Sequence, residues 1–485
     1  MTGGLNAARR RLAPAAVGGL VLGLVALAPA GAVTAHAPAP PPPPASVLAP
    51  AQRSATAPSD AETAALVARV RAALRVGPVG TDLAASVVDV STGTALLADG
   101  ATRAQLPAST LKLLTAVTAL HALGPDTRLT TKVVVGAAPG QVVLVGAGDA
   151  TLTQASSSRT WPVGQSARPA SLNVLATLTA RALIKAGTRS AIVSVDDSLF
   201  TGPRTAPGWP TSFVDEGVVA PVTALSVDQG RAGPGVGAGP RVPDPSIAAG
   251  QLFAARLKAA GIAVSGPVAR ATAPADAAEL ASVRSPTIAD LVERMLTQSD
   301  DDLAEALAHL AGGRLGGAAS FSGGAAATET TMRDLGVTMT GAVLDDGSGL
   351  SGRDRLTTTT LVGTLVALTA PGLAGSSTGA GASGSSTATA AGPDVVAPLW
   401  AAVSGLPVAG ATGTLTDRFA GPLNAAGRGI VRAKTGTLTG VDALAGLVRD
   451  ARGRLLAFAY VADASPGPQE LARAALDRAA TALVP

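Results

Sequence analysis

Residues 107–121 read PASTLKLLTAVTALH: a serine, a lysine three places on, and an apolar run that stops before Gly124-Pro125. A spacing of three stacks Ser109 and Lys112 on one face of a helix. A serine at a helix N-terminus sits in a positive field, and a lysine one turn later can take its proton if desolvation weakens the lysine's hold on its own. The pattern predicts an activated nucleophile at the start of a helix. Taken alone it fits a plain amphipathic helix equally well, so other parts of the chain must decide.

Residues 431–437, VRAKTGT, predict a strand leading into a C-terminal hairpin, with Gly436 letting something approach its backbone closely. Five lysines stand against thirty-two arginines, and two of the five, Lys112 and Lys434, fall in these two short patterns. The plain alternative is an edge-strand lysine kept for solubility. In the functional reading Lys434 stands at a strand end near a cleft and packs little, so its removal is expected to cost charge rather than stability. Residues 298–307, QSDDDLAEAL, set Asp300, Asp301 and Asp302 between Ser299 and a helical stripe of Leu303, Ala304, Leu307, Ala308 and Leu310 that stops at Gly312-Gly313. Helix capping by itself accounts for three acids in that position.

With 485 residues, 47% of them hydrophobic, the chain can bury more than one core; aromatics are 2%, so Ala, Val and Leu must do the packing. A net charge of +4 with scattered arginines argues against a nucleic-acid partner. Cysteine is absent, which removes disulfides, thiolate nucleophiles and thiolate metal sites together. His36, His121 and His309 lie far apart without ligand spacing, so neither a metal nor another cofactor is expected.

Arg9, Arg10 and Arg11 precede an apolar run from Leu12 to Val33 and the tract Pro40 to Pro44. Residues 1–36 therefore predict an export signal, with Val33-Thr34-Ala35 suited to a signal peptidase. The run is also long enough to span a bilayer if retained, so secretion and membrane contact through an N-terminal anchor both stay open. Either places the globular part outside the cytoplasm, behind a Pro/Ala-rich linker at 37–58.

Ser59 and Glu62 form a capping-box pattern ahead of an amphipathic helix carrying Leu66, Val67, Val70 and Leu74. ASVVDV (85–90) and ALLAD (95–99) predict a hairpin turning at Ser91-Thr92-Gly93. At the other end GVDALAGLVRD (440–450) and RLLAFAYVAD (454–463) predict a second hairpin, and PQELARAALDRAATAL (468–483) a closing helix. Two terminal helices on an antiparallel sheet drawn from both chain ends make an α+β fold, with one domain at 59–125 and 284–485. Between the halves, residues 126–283 carry strand patterns such as KVVVG, SAIVSVDDSLF and ARLKAAGIAVSGPV, and predict a mostly β inserted domain that folds as its own unit. The Gly/Ser/Thr/Ala tract at 371–393 is read as a loop without chemistry.

In order, S-x-x-K at Ser109, S-D-D at Ser299 and K-T-G at Lys434 resemble the triple signature of serine penicillin-recognising enzymes. Ser299 comes 187 positions after Lys112. That long gap is similar to the class C low-molecular-mass penicillin-binding proteins, the D-alanyl-D-alanine carboxypeptidase/endopeptidases. LVGAGDATLT (144–153), PVTALSVDQG (221–230), DDGSGLSGRDRLT (345–357) and LPVAGATGTLTDRF (406–419) resemble segments of that family in its order. The resemblance implies a transpeptidase/β-lactamase-like domain with an insertion between its first and second motifs. It also implies peptidoglycan stem peptides as substrates and β-lactams as inhibitors. Ser109 would be the nucleophile, Lys112 its base, and Ser299 a proton relay to the leaving amine. Lys434, Thr435, Gly436 and Thr437 would receive the substrate carboxylate, with Ser109 and Thr437 backbone N–H groups as the oxyanion hole.

Two positions depart from the family pattern. Asp301 stands where the third residue of the second motif is usually Asn, and Asp354 in SGRDR stands where Asn is common. An aspartate can only accept where asparagine also donates, so Asp301 would cost the substrate a donor and make Lys112 a poorer base. A β-lactamase would need a further deacylating carboxylate, and no E-x-x-L-N stretch is present. The other alternative is a catalytically weakened homologue that binds or scaffolds peptidoglycan.

Overall fold

The computed structural model describes residues 60–76, 79–80, 82–154, 168–231, 239–369, 399–463 and 467–484. The expected export segment, the linker, Ser59 of the capping box and the tract at 371–393 lie outside the described residues. Among the described residues no helix is long and apolar enough to cross a membrane.

The chain opens with helix α1 (Asp60–Leu74), hairpin β1 (Asp82–Asp89) and β2 (Ala95–Asp99), and helix α2 (Lys112–Leu123). It then enters the insertion: β3 (Arg128–Val135), β4 (Gln141–Val145), α3 (Leu172–Lys185), β5 (Ser190–Asp196), α4 (Pro245–Ala259), β6 (Ala263–Val264), β7 (Ala269–Arg270) and β8 (Glu279–Thr287). Helices α5 (Ile288–Gln298), α6 (Asp301–Ala311), α7 (Phe321–Asp334), α8 (Thr358–Thr369) and α9 (Trp400–Ser404) follow. Strands β9 (Arg432–Leu438), β10 (Val441–Arg449) and β11 (Leu455–Asp463) and helix α10 (Gln469–Thr481) close it.

Five strands from the two chain ends form one sheet in the order β2-β1-β11-β10-β9, every pair antiparallel. Asp82 pairs with Asp463, so first and last strands lie side by side. Residues of β11 alternate between two cores, as a strand of period two covered on both faces must. Leu456, Phe458 and Tyr460 meet Leu66, Val70 and Leu74 of α1 and Leu476 and Ala479 of α10. Ala457, Ala459 and Val461 face the helical layer, where Leu113, Val117, Leu291, Met295 and Leu365 pack. Small residues on that face, Ala443 and Ala445 of β10 among them, let helices come close to the sheet, which is how a chain poor in aromatics fills its core.

The insertion holds a six-stranded mixed sheet, β6-β5-β4-β3-β8 with β7 beside β5, and its own apolar cluster including Val133, Leu144, Leu175, Val193 and Phe253. It is less purely β than its strand patterns suggest, because α3 and α4 pack on the sheet. The stretch ARLKAAGIAVSGPV is helical up to Ala259, and only Ala263–Val264 is strand. The start signal lies upstream: Asp244 caps α4 by accepting from the Ile247 amide at 3.1 Å, and Pro245 occupies the first turn.

Candidate active site

Ser109 and Lys112 do not share one α-helix. Ser109 sits in a 3-10 turn, Ala108–Leu111, and Lys112 is the first residue of α2. Ala108 takes φ 45°, a left-handed value that L residues adopt at a cost of about 1–3 kcal/mol. Two glycines let neighbours close on this turn. A Cβ at Gly436 would lie 2.8 Å from the Pro107 carbonyl oxygen, and one at Gly349 would lie 2.0 Å from that of Ala108. The close approach expected at Gly436 is made by the turn that carries Ser109.

Lys112 is fully buried, and its Nζ donates to Ser109 Oγ at 2.9 Å, Asp301 Oδ1 at 2.6 Å and the Ser348 carbonyl at 2.7 Å. Those three acceptors match the three donors of an ammonium.

The three consecutive acids have three different partners. Asp300 caps α6 through the Leu303 amide at 3.1 Å and accepts from Gln229 Nε2 at 2.6 and 2.8 Å. Asp301 turns toward Lys112. Asp302 accepts from the Ala220 amide at 2.8 Å and pairs with Arg241 at 3.1 Å. Capping therefore explains one carboxylate of the three, while Asp300 and Asp302 bind α6 to Ala220, Gln229 and Arg241 of the insertion. Burial pushes the Asp301 carboxyl above the usual range, with Lys112 pulling the other way, and pushes Asp302 up to about 7 against the pull of Arg241.

Ser299 ends α5 with φ 56°, a second non-glycine residue in the left-handed region, and its Oγ accepts from Lys434 Nζ at 2.9 Å. The expectation that Lys434 packs little is corrected. Although β9 lies at the sheet edge, Lys434 is fully buried and also donates to the Thr435 carbonyl at 2.8 Å. Burial holds its ammonium well below the usual lysine range, and the charge of Lys112 adds to that shift. Thr435 Oγ1 lies 2.8 Å from Thr414 Oγ1, and Thr437 Oγ1 donates to Asp442 Oδ1 at 3.4 Å. A cavity of about 280 Å³ is lined by Ser109, Ser299, Thr435 and Thr437, and also by Thr414, Arg418 and Arg473. All three sequence motifs meet here.

Sequence reasoning missed two groups. Arg418 lies in a segment quoted only for its likeness, and Arg473 looks like any polar-face arginine of a terminal helix. The second group is a buried carboxylate cluster behind Lys112. Glu305, hidden in the apolar stripe of α6, accepts from the Gly347 and Ser348 amides at 2.8–3.1 Å. Asp346 accepts from the amides of Ser348, Gly349 and Ser351 and from Trp209 Nε1. Asp354 Oδ1 accepts from the Asp345 amide at 2.7 Å, while its Oδ2 is buried without a partner. Together they fix the loop whose Ser348 carbonyl holds Lys112. Burial and the neighbouring Asp346 push the Asp354 carboxyl up to about 10, so it carries a proton at neutral pH. A protonated carboxyl donates and accepts as an asparagine does, which accounts for aspartate at a position where Asn is common.

Residues 66–240, 231–376 and 398–483 match the D-Ala-D-Ala carboxypeptidase 3 (S13) family. Carboxypeptidase DacB of Mycolicibacterium smegmatis is 34% identical over 400 residues, covering 82% of this chain and 79% of its own length. A D-alanyl-D-alanine carboxypeptidase of an Actinomadura strain is 29% identical over 453 residues, covering 80% of this chain and 78% of its own. The fold is that of penicillin binding protein 4 from Haemophilus influenzae, with a TM-score of 0.66 at 20% identity over 85% of this chain and 97% of that one. The chain belongs to the D-Ala-D-Ala carboxypeptidase 3 (S13) family and is a serine-type D-Ala-D-Ala carboxypeptidase.

Proposed function

We propose that the chain cleaves the terminal D-Ala-D-Ala bond of peptidoglycan stem peptides, and the D-Ala cross-link between them, through an acyl-enzyme on Ser109. One observation carries this reading: Lys112 Nζ stands 2.9 Å from Ser109 Oγ, at the wall of a cavity that also receives Ser299 and Thr437. Ser109 Oγ attacks the penultimate D-Ala carbonyl with Lys112 as its base: in the amine form of Lys112 the 2.9 Å contact reverses, and the hydroxyl gives its proton to Nζ. Ser299, hydrogen-bonded to Lys434, passes a proton to the leaving amine, and water then releases the acyl group. The carbonyl oxygen is received by the Ser109 and Thr437 backbone N–H groups. A β-lactam enters the same path and stays on Ser109. The substrate lies outside the cytoplasm, and the basic then apolar N-terminal segment supports export to that side.

The ion pair between Lys112 and Asp301 favours a second reading, a weakened homologue that binds peptidoglycan and turns over slowly. One experiment separates the two. The protein is labelled with a fluorescent penicillin, the adduct is located by mass spectrometry, and D-Ala release from pentapeptide and loss of cross-linked dimers are followed. An adduct on Ser109 with turnover supports the peptidase. An adduct without turnover supports the binding protein, and labelling that survives Ser109→Ala overturns both.

A further inference from the structure

We propose that a second cavity, at the seam between the insertion and α6, binds a neutral, hydroxyl-bearing ring, a single saccharide unit. His309 lies at its floor and Arg204 and Arg270 at its rim. It shares no lining residue with the cavity that holds Ser109.

The loop after β5, residues 197–204, forms one wall of the cavity, and His309 reaches it from the last turn of α6. His309 is 1% exposed and packs against Phe200 and Phe321, with ring centres 5.0 and 4.6 Å away. Its Nδ1 lies 2.8 Å from the Glu305 carbonyl oxygen, which can only accept, so Nδ1 carries the proton. Burial holds the imidazole down at about 4, so the ring is neutral at pH 7 and Nε2 has a bare lone pair. Among the described residues Nε2 makes no hydrogen bond. Two aromatic rings flank the imidazole and Nδ1 turns to its own helix, so Nε2 is the polar atom left to face the cavity. A buried acceptor is costly unless a ligand or water supplies a donor.

The rim is charged yet carries no net charge. Arg270 donates to Asp197 through Nε at 3.0 Å and Nη2 at 2.9 Å, and to Asp244 through Nη1 at 2.9 Å and Nη2 at 2.8 Å. Arg204 closes the ring onto the same two acids, donating to Asp244 at 3.3 Å with Asp197 3.5 Å away. Burial raises the Asp244 carboxyl, but hydrogen bonds from Arg270 and the Ile247 amide bring it to about 2, and Asp197 is likewise held low. All four groups are ionised at neutral pH and their charges cancel, so the cavity favours neither an anion nor a cation. It selects by hydrogen bonds instead. Arg204 Nε and Thr201 Oγ1, without partners among the described residues, can donate, and His309 Nε2 accepts. Part-buried Phe200 adds an apolar wall. Fixed donors, one fixed acceptor and an apolar wall match a sugar, whose hydroxyls give and take and whose C–H face is apolar. The volume, about 180 Å³, lies below the roughly 300–1,000 Å³ of drug-sized sites, so one ring enters and not a chain. The glycan of peptidoglycan and free monosaccharides share this chemistry.

Ligand-observed NMR on the full chain titrates N-acetylglucosamine and its linear tetramer, with acetate and methylammonium as charged controls. Sugar binding and no binding of either ion are expected. A tetramer that binds tighter assigns the cavity to the end of a glycan strand, and a monomer that binds as well or better assigns it to a free sugar. His309→Phe keeps the aromatic contacts and removes the acceptor, and should weaken sugar binding about 3- to 10-fold. His309→Gln, whose Oε1 can accept, keeps part of it. Arg204→Met tests the same site from the part-exposed rim, without touching the core, and should weaken binding by a similar factor. Penicillin labelling of Ser109 at the wild-type rate in each variant shows that the fold is intact. No sugar binding, either ion bound as well as the sugar, or sugar binding unchanged in both His309→Phe and Arg204→Met overturns the inference.

Discussion

Asp354→Asn is expected to stabilise the protein, and by more as the pH rises. The wild-type carboxyl is held up to about 10 from an ordinary 3.8 because it is buried beside Asp346. Between those values the unfolded chain has released the proton and the folded one has kept it. The folded state then binds one more proton, and stability falls by up to about 1.4 kcal/mol for each pH unit from about 4 to about 10. This stabilising contribution is complete below pH 4 and lost as pH climbs through the folded value. Asparagine does not titrate. Its Oδ1 can keep the Asp345 amide, and its Nδ2 can present a donor where the acid proton stands, with no charge left beside Asp346. From pH 6 to pH 8 the variant should gain up to about 2.7 kcal/mol on the wild type. Urea unfolding of both proteins at four pH values measures the divergence. Curves that run parallel, or a variant less stable at every pH, would show that Asp354 is ionised in the folded state and that the reasoning is wrong.

Three further outcomes are expected. Asp301→Asn should speed penicillin labelling of Ser109, since it removes the carboxylate 2.6 Å from Lys112 Nζ and restores a donor; an unchanged or slower rate in stopped-flow labelling would mean that the carboxylate takes part in the reaction. Lys434→Met should abolish acylation yet hold or raise the melting temperature, because burial opposes the ammonium and an apolar chain of similar length fills its place. A melting temperature several degrees lower would assign Lys434 a structural role. Gly436→Ala should slow acylation and destabilise by about 1–3 kcal/mol, since its Cβ would press on the Pro107 carbonyl; a variant with wild-type labelling and melting would show that the turn can yield.

The sheet was legible because its strands alternate or run apolar between turn signals and both terminal helices carry apolar residues at helical spacing, so local pattern and final packing agree. The three motifs were legible because their residue types are scarce in this chain or tightly spaced. The insertion was read with too little helix, since α4 announces itself at Asp244-Pro245, ahead of the apolar stretch that looked like strand. The carboxylate cluster was illegible for a different reason. Glu305 and Asp354 act by being buried, and burial is settled by parts of the chain far away in sequence. Arg418 and Arg473 were missed because their ion pairs span 59 and 31 positions, which no local pattern reports.

The pairing of β1 with β11 has a consequence for how the molecule comes into being. Asp82 must wait for Asp463, so during synthesis the first hairpin keeps one edge unpaired until residue 463 has emerged. Pairings of such long sequence separation form late, and an early, stable catalytic domain is not available to the nascent chain. That delay leaves a strand edge open to wrong partners if the last strand is lost.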